Sequence, residues 1–209
     1  MPNYTLAIFD FDGTLADSFP WFVASLDRTA DHFGLNRVKP HEIEGLRERS
    51  SREVIAHLGV PLLKLPAIST FMRNMFAEGI ADIPLFPGAA DMLAALHANG
   101  VRIALVSSNA EANVRHVLGP AAELVDRYAC GSSLWGKAQK FTAVLRILRQ
   151  SPALSISIGD EIRDIDAARK AGIASGALTF GYNSRAALQT AGPDFLFDRY
   201  DELVRTVVG

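Results

Sequence analysis

Four aspartates stand out by their spacing: Asp10 and Asp12 in FDFDGT, and Asp160 and Asp164 in GDEIRD. At the end of an extended strand, residues two apart point the same way, so Asp10 and Asp12 share a side. Carboxylates held that close repel, and burial adds to the cost. Any one Asp after a strand is equally well a turn or cap residue; four of them at two strand ends are harder to read that way. A hard divalent cation relieves the repulsion, and Mg²⁺ suits a few carboxylates plus waters. A cation so held invites phosphate, whose oxygens it bridges to the protein. Lys137 in GKAQKF adds a fixed positive charge, and Ser107 and Asn109 in SSN, with loop amides, can donate to anionic oxygens. The chemistry these residue types predict is phosphoryl transfer.

That chemistry needs elements that bring the segments to one rim. Short apolar runs at residues 4–9, 101–106 and 154–158, with weaker ones at 174–180 and 194–197, read as strands of a parallel sheet buried on both faces. Helical spacing lies between them at 89–99, 137–149 and 162–171, and again in the amphipathic C-terminus. Strand–helix alternation predicts a Rossmann-like, doubly wound α/β sheet, with ligands beyond the carboxyl ends of the strands. One region breaks the alternation. From residue 16 to Pro84 the pattern is helical throughout, with a first helix capped by Ser18 and stopped at Gly34, further helices over 40–58 and 61–79, and a return linker carrying Pro84 and Pro87. The expected organisation is an α/β core from residues 1–15 and 86–209, with an all-helical cap of residues 16–85 inserted after the first strand.

The bulk properties exclude other classes. The chain has 209 residues, 49% hydrophobic and 21% charged, a globular balance in one domain plus an insert. A net charge of -2 gives no pull toward nucleic acid or an anionic membrane. No run of about 18 apolar residues predicts a membrane span. The N-terminal stretch lacks the basic flank of a signal peptide, and the single cysteine, Cys130, suits a reducing cytoplasm. The five histidines have no metal-ligand spacing.

With FDFDGTLADS at 9–18, LVSSN at 105–109, GKAQKF at 136–141 and IGDEIRDIDAARKAG at 158–172, the chain resembles the haloacid dehalogenase-like hydrolase superfamily, in its phosphoglycolate-phosphatase-like subgroup with a helical cap. The resemblance implies a Mg²⁺-dependent phosphatase of a small phosphomonoester, phosphoglycolate-like or a sugar phosphate. Asp10 would be the nucleophile that becomes aspartyl-phosphate, and Asp12 the general acid and then base. An aspartate at position 12 speaks against carbon–halogen hydrolysis. Thr14 would orient Asp12, and Ser107 would bind the phosphoryl group with Ser108 or Asn109. Asp10, the Asp12 carbonyl and Asp160 would hold Mg²⁺, with Asp164 on a metal-bound water or on the lysine. Lys137 fits the lysine of the third motif, with Lys140 in reserve.

In the cap, Arg47, Arg49 and Arg52 are candidates for an anionic substrate group or for a solvated helix face, with Arg52 the chosen binder. Trp21 and Phe22 line the cleft or pack the first cap helix. The expected partner is a small phosphorylated metabolite, without nucleic acid or membrane, and the protein is a monomer or homodimer. Two alternatives remain: a phosphomutase of the β-phosphoglucomutase type, and a non-catalytic regulatory or phosphoryl-binding protein on the same fold, including a receiver-like one.

Overall fold

The computed structural model describes residues 2–131 and 136–209. The first apolar run forms β1 (Leu6–Phe9), buried throughout. The chain then makes a tight turn in which the Phe11 carbonyl accepts from the amides of Thr14, Leu15 and Ala16. Four helices follow with no strand between them: α1 (Phe19–Phe33), α2 (Ile43–Arg47), α3 (Ser51–His57) and α4 (Leu65–Glu78), with a 3-10 turn between α1 and α2 and another between α3 and α4. Ser18 stands at the N-cap of α1 but its side chain does not cap the helix. Its hydroxyl lies 3.1 Å from the Tyr182 hydroxyl instead, a partner 164 residues away that sequence spacing cannot reveal. Ser50 does cap α3, accepting from the Glu53 amide while Glu53 accepts from Ser50, a reciprocal box.

The chain leaves and re-enters through one seam. Asp17 N donates to Pro84 O and Phe86 N to Leu15 O, around an antiparallel bridge of Ala16 with Leu85. The remainder alternates as α5 (Ala89–Ala98), β2 (Arg102–Leu105), α6 (Glu111–Leu118), β3 (Arg127–Tyr128), α7 (Lys137–Leu148), β4 (Ser155–Gly159), α8 (Ile162–Ala171), β5 (Ala174–Leu178), α9 (Arg185–Ala191), β6 (Phe195–Phe197) and α10 (Tyr200–Val208). The six strands are parallel, in the order β3-β2-β1-β4-β5-β6.

The alternation of side chains along β1 divides the core. Ala7 and Phe9 join the cluster with Met92, Leu93 and Leu96 of α5 and Leu203 and Val207 of α10. Leu6 and Ile8 face Phe141, Val144 and Leu145 of α7 and Ala167 and Ala168 of α8. Each fully buried side chain of this size contributes roughly 1.5–3 kcal/mol, which is why near-continuous apolar runs become the strands of a sheet covered on both sides. Phe9 pairs with Leu105 on one side and Ile158 on the other. The segments after β1, β2 and β4 therefore emerge level with one another. Because β2 and β4 flank β1 on opposite sides, the connections diverge there and open a crevice at the strand ends.

Candidate active site

The turn after β1 presents Asp10, almost fully buried. Its Oδ1 accepts from the Phe11 amide at 2.8 Å, and its Oδ2 accepts from Lys137 Nζ at 2.5 Å. The same ammonium donates to Asp164 Oδ1. Lys137 opens α7 and is buried, so it is a charge held between two carboxylates. Burial alone would lower its pKa, but Asp10 and Asp164 outweigh that and raise it. Lys140 points elsewhere, to the carbonyls of Ala129 and Cys130. Of the two lysines, Lys137 is the one beside Asp10.

Asp160 follows β4 and is wholly inaccessible. Thr14 donates to its Oδ1 at 2.6 Å and the Tyr182 amide to its Oδ2 at 2.8 Å. Thr14 was expected to orient Asp12; it holds Asp160 instead, because the turn after β1 folds over the end of β4. Asp164 sits at the third position of α8, where its Oδ2 accepts from the amides of Asp160 and Glu161 at 3.2 and 3.1 Å. This is a helix-start role that leaves Oδ1 for Lys137. Two glycines permit the packing. A Cβ on Gly13, whose φ is 73°, would stand 2.2 Å from Asp160 Oδ2, and one on Gly159 would stand 2.2 Å from Asp164 Oδ2.

Carboxylate oxygens of Asp10, Asp160 and Asp164 lie within 4.8 Å of one another. The Asp12 side chain is not part of that group. It turns toward Asn109, whose Nδ2 is 3.3 Å from Oδ2, and toward the Ser18 hydroxyl. Burial and then the negative Asp10 push its carboxyl up to about 7, against the hydrogen bonds of Ser18 and Asn109. Burial likewise raises Asp10, with Lys137 opposing, and raises Asp160, with Glu161 and Asp164 adding to the effect. Five carboxylates (10, 12, 160, 161 and 164) thus face two cations, Lys137 and Arg163. An all-oxygen, buried and under-neutralised donor set fits a hard divalent ion.

Ser107 and Asn109 are buried in the turn after β2, where Ser107 Oγ accepts from the Asn109 amide at 3.0 Å. Asn109 Oδ1 is fixed by the Ala110 amide and Asn113. Ser108 lines the cleft above, and its carbonyl accepts from Arg73 of α4. The cleft lies between the helical segment and the strand ends, with a volume of about 280 Å³. Trp21 and Phe22 both line it, and Trp21 also packs edge-on against Phe76 at 4.9 Å. Arg47, Arg49 and Arg73 line it too, whereas Arg52 is exposed on α3 and is not part of its wall. The cap on Ser50 sets the phase of α3, and that phase turns position 52 outward.

Sequence reasoning missed Arg163. Its guanidinium pairs with Glu161 and sits 3.8 Å from Asp10 Oδ2. Glu161 in turn accepts from Ser51 Oγ of α3 at 2.9 Å, so a line of contacts runs from the helical segment to Asp10. The loop 181–184, which reads as a plain turn, is a joint. Arg47 donates to the carbonyls of Gly181 and Tyr182, and Asn183 Nδ2 donates to the carbonyls of Arg47 and Arg49.

A doubly wound parallel sheet with a buried cluster of acidic and basic groups at its switch point defines an α/β protein whose site lies at the strand ends. The chain belongs to the haloacid dehalogenase-like hydrolase family, whose sequence model matches residues 7–178. It is 31% identical to a phosphoglycolate phosphatase of Synechococcus elongatus, over 96% of this chain and 95% of that protein. The fold is shared with a haloacid dehalogenase-like hydrolase of Streptococcus pneumoniae (23% identity, TM-score 0.79, 97% and 98% of the two chains). It is also shared with CbbY of Rhodobacter sphaeroides, solved with phosphate (24%, TM-score 0.74, 96% of each). No single helix among the described residues is long and apolar enough to cross a membrane.

Proposed function

We propose that this hydrolase is a Mg²⁺-dependent phosphatase of small phosphomonoesters, 2-phosphoglycolate among them, working through an aspartyl-phosphate on Asp10. The observation that carries the reading is the division of labour between two adjacent aspartates. Asp10 is pinned by Lys137 at 2.5 Å, and Asp12 stands two residues on with a carboxyl raised to about 7. Asp10 attacks phosphorus; the P–O bond to the leaving group breaks, and that oxygen takes its proton from Asp12. Asp12, now anionic, removes a proton from water, whose oxygen attacks the acyl phosphate; phosphate leaves and Asp10 is restored. A dianionic ester repels Asp10, so Lys137 holds phosphoryl charge as well as the carboxylate. Ser107 and the amides of its turn meet the equatorial oxygens. Asp10, Asp160 and the Asp12 carbonyl would hold Mg²⁺, which would supply neutralisation of the developing charge.

Residues 16–85 act as a cap that excludes water from the crevice, and the partner is a phosphorylated metabolite of the cytoplasm. The test is phosphate release from a panel of monoesters with and without Mg²⁺, for the wild type and Asp10→Asn. The variant should keep its circular dichroism and melting curve while turnover falls by about a thousandfold or more. Undiminished turnover in the variant would remove Asp10 as nucleophile, and no release from any ester would end the phosphatase reading.

A further inference from the structure

The helical segment has no packed core of its own. Among its described residues, buried apolar side chains within the helices are confined to Ala30, Ile68, Met75 and Phe76, and Phe76 belongs to the cluster beneath the sheet's cover. The side chains that face inward from the helices and their connections are only half-buried: Leu26, Val38, Ile43, Val54, Ile55 and Met72. All six line the same cavity of about 280 Å³. Four short helices that turn this much aliphatic surface inward would ordinarily close on it, since dense packing is the rule inside proteins. Here the space stays open, close in size to cavities that take small organic ligands, about 300 Å³ and upward. It is continuous with the site, because Asp12, Ser108, Asn109 and Arg163 share its wall.

From this we infer that the cavity receives the leaving group of the substrate, and that this group has an aliphatic or aromatic body rather than a polyol. The inference rests on the phosphatase reading for its direction, with the phosphoryl group at Asp10 and the ester oxygen toward Asp12. The hydroxyls of a sugar would lose water here and find few partners among these side chains. An alkyl chain or ring exchanges water for the Leu26, Val54, Ile55 and Met72 surfaces and lets the helices close on a filled interior. Arg47, Arg49 and Arg73 stand in the same wall, so a leaving group with an anionic end is compatible with an apolar body.

The test uses two homologous series. In the first, phosphate release is measured from n-alkyl phosphates of two to eight carbons in Mg²⁺. The expectation is a gain in kcat/KM of roughly three- to fourfold per methylene until the cavity is full. In the second, titration calorimetry follows the full-length protein with n-alkylphosphonates of the same lengths, which cannot be hydrolysed at the P–C bond. Affinity should climb in parallel. Ile55→Trp in α3 and Met72→Trp in α4 fill the cavity and should flatten both series. Flat or falling series in the wild type would overturn the inference, as would an undiminished slope in both filled variants. Phosphonate affinity that climbs without phosphate release from any ester would sustain the apolar cavity and reject the hydrolysis.

Discussion

Arg163 illustrates how a single side chain acquires meaning from its neighbours. On paper it is a charge in the first turn of a helix, where a solvated face is the ordinary reading. In the fold its side chain is largely buried, its pKa is raised by Glu161 and Asp10 against the pull of burial, and its Nη2 lies within reach of any oxygen bound at Asp10. Arg163→Ala should therefore lower kcat by about 10²–10³ with a smaller change in KM, since the charge it meets grows in the transition state. Arg163→Lys should recover only part of this, because an ammonium cannot pair with Glu161 through a planar fork and still face Asp10. Unaltered kcat in the alanine variant would make Arg163 a structural residue. Thr14 belongs to the same scale. Thr14→Val keeps shape but removes the hydroxyl 2.6 Å from Asp160 Oδ1. The freed carboxylate should bind metal less well, raising half-saturating Mg²⁺ by about 10–100-fold. An unchanged Mg²⁺ titration would show that Asp160 needs no such partner.

At the scale of elements, α3 is the part of the helical segment whose start is written most plainly. Seven residues are too few to hold a helix by propensity alone, so the Ser50–Glu53 box matters. Ser50→Ala should take roughly 1 kcal/mol from this helix start, read as faster amide exchange at Glu53 and Val54. The hydroxyl of Ser50, then its amide, holds the Glu53 carboxyl below its ordinary value. Its contribution is therefore complete above the usual carboxylate range and fades as pH falls through the folded-state value. Carboxyl NMR should show Glu53 titrating higher in Ser50→Ala, and an identical curve in the variant would dismiss the box. The same scale shows what the sequence makes legible. Five strands are visible as apolar runs because both faces of each are covered. β3 is not, since Arg127–Tyr128 is two residues long and follows a 3-10 turn. The short α6 and α9 are likewise lost between stronger signals. The aspartates could be read because each pair lies on one continuous stretch of chain. The Thr14–Asp160, Ser18–Tyr182 and Ser51–Glu161 contacts could not, since each joins residues more than 100 positions apart.

For the molecule as a whole, these contacts converge on an electrostatic debt at the sheet's switch point. Five acidic side chains and two basic ones share a region from which water is largely displaced, and burial pulls Asp10, Asp12 and Asp160 toward neutrality. The sheet tolerates this because its packed faces fix the strand ends regardless of what they carry. An ion that binds the folded chain and not the unfolded one must then stabilise the whole fold, by about 2.7 kcal/mol at a hundred times its dissociation constant. For a chain of this length each kcal/mol moves the melting point by roughly 2–4 °C. Saturating Mg²⁺ should thus raise the melting temperature by about 5–10 °C over the protein in EDTA. Asp160→Asn should cancel most of the difference while itself melting no lower than the wild type in EDTA, because it removes one of the uncompensated charges. Equal melting temperatures with and without the ion in the wild type would mean that Lys137 and Arg163 already balance the centre, and that the carboxylates are held by protonation instead of by a metal.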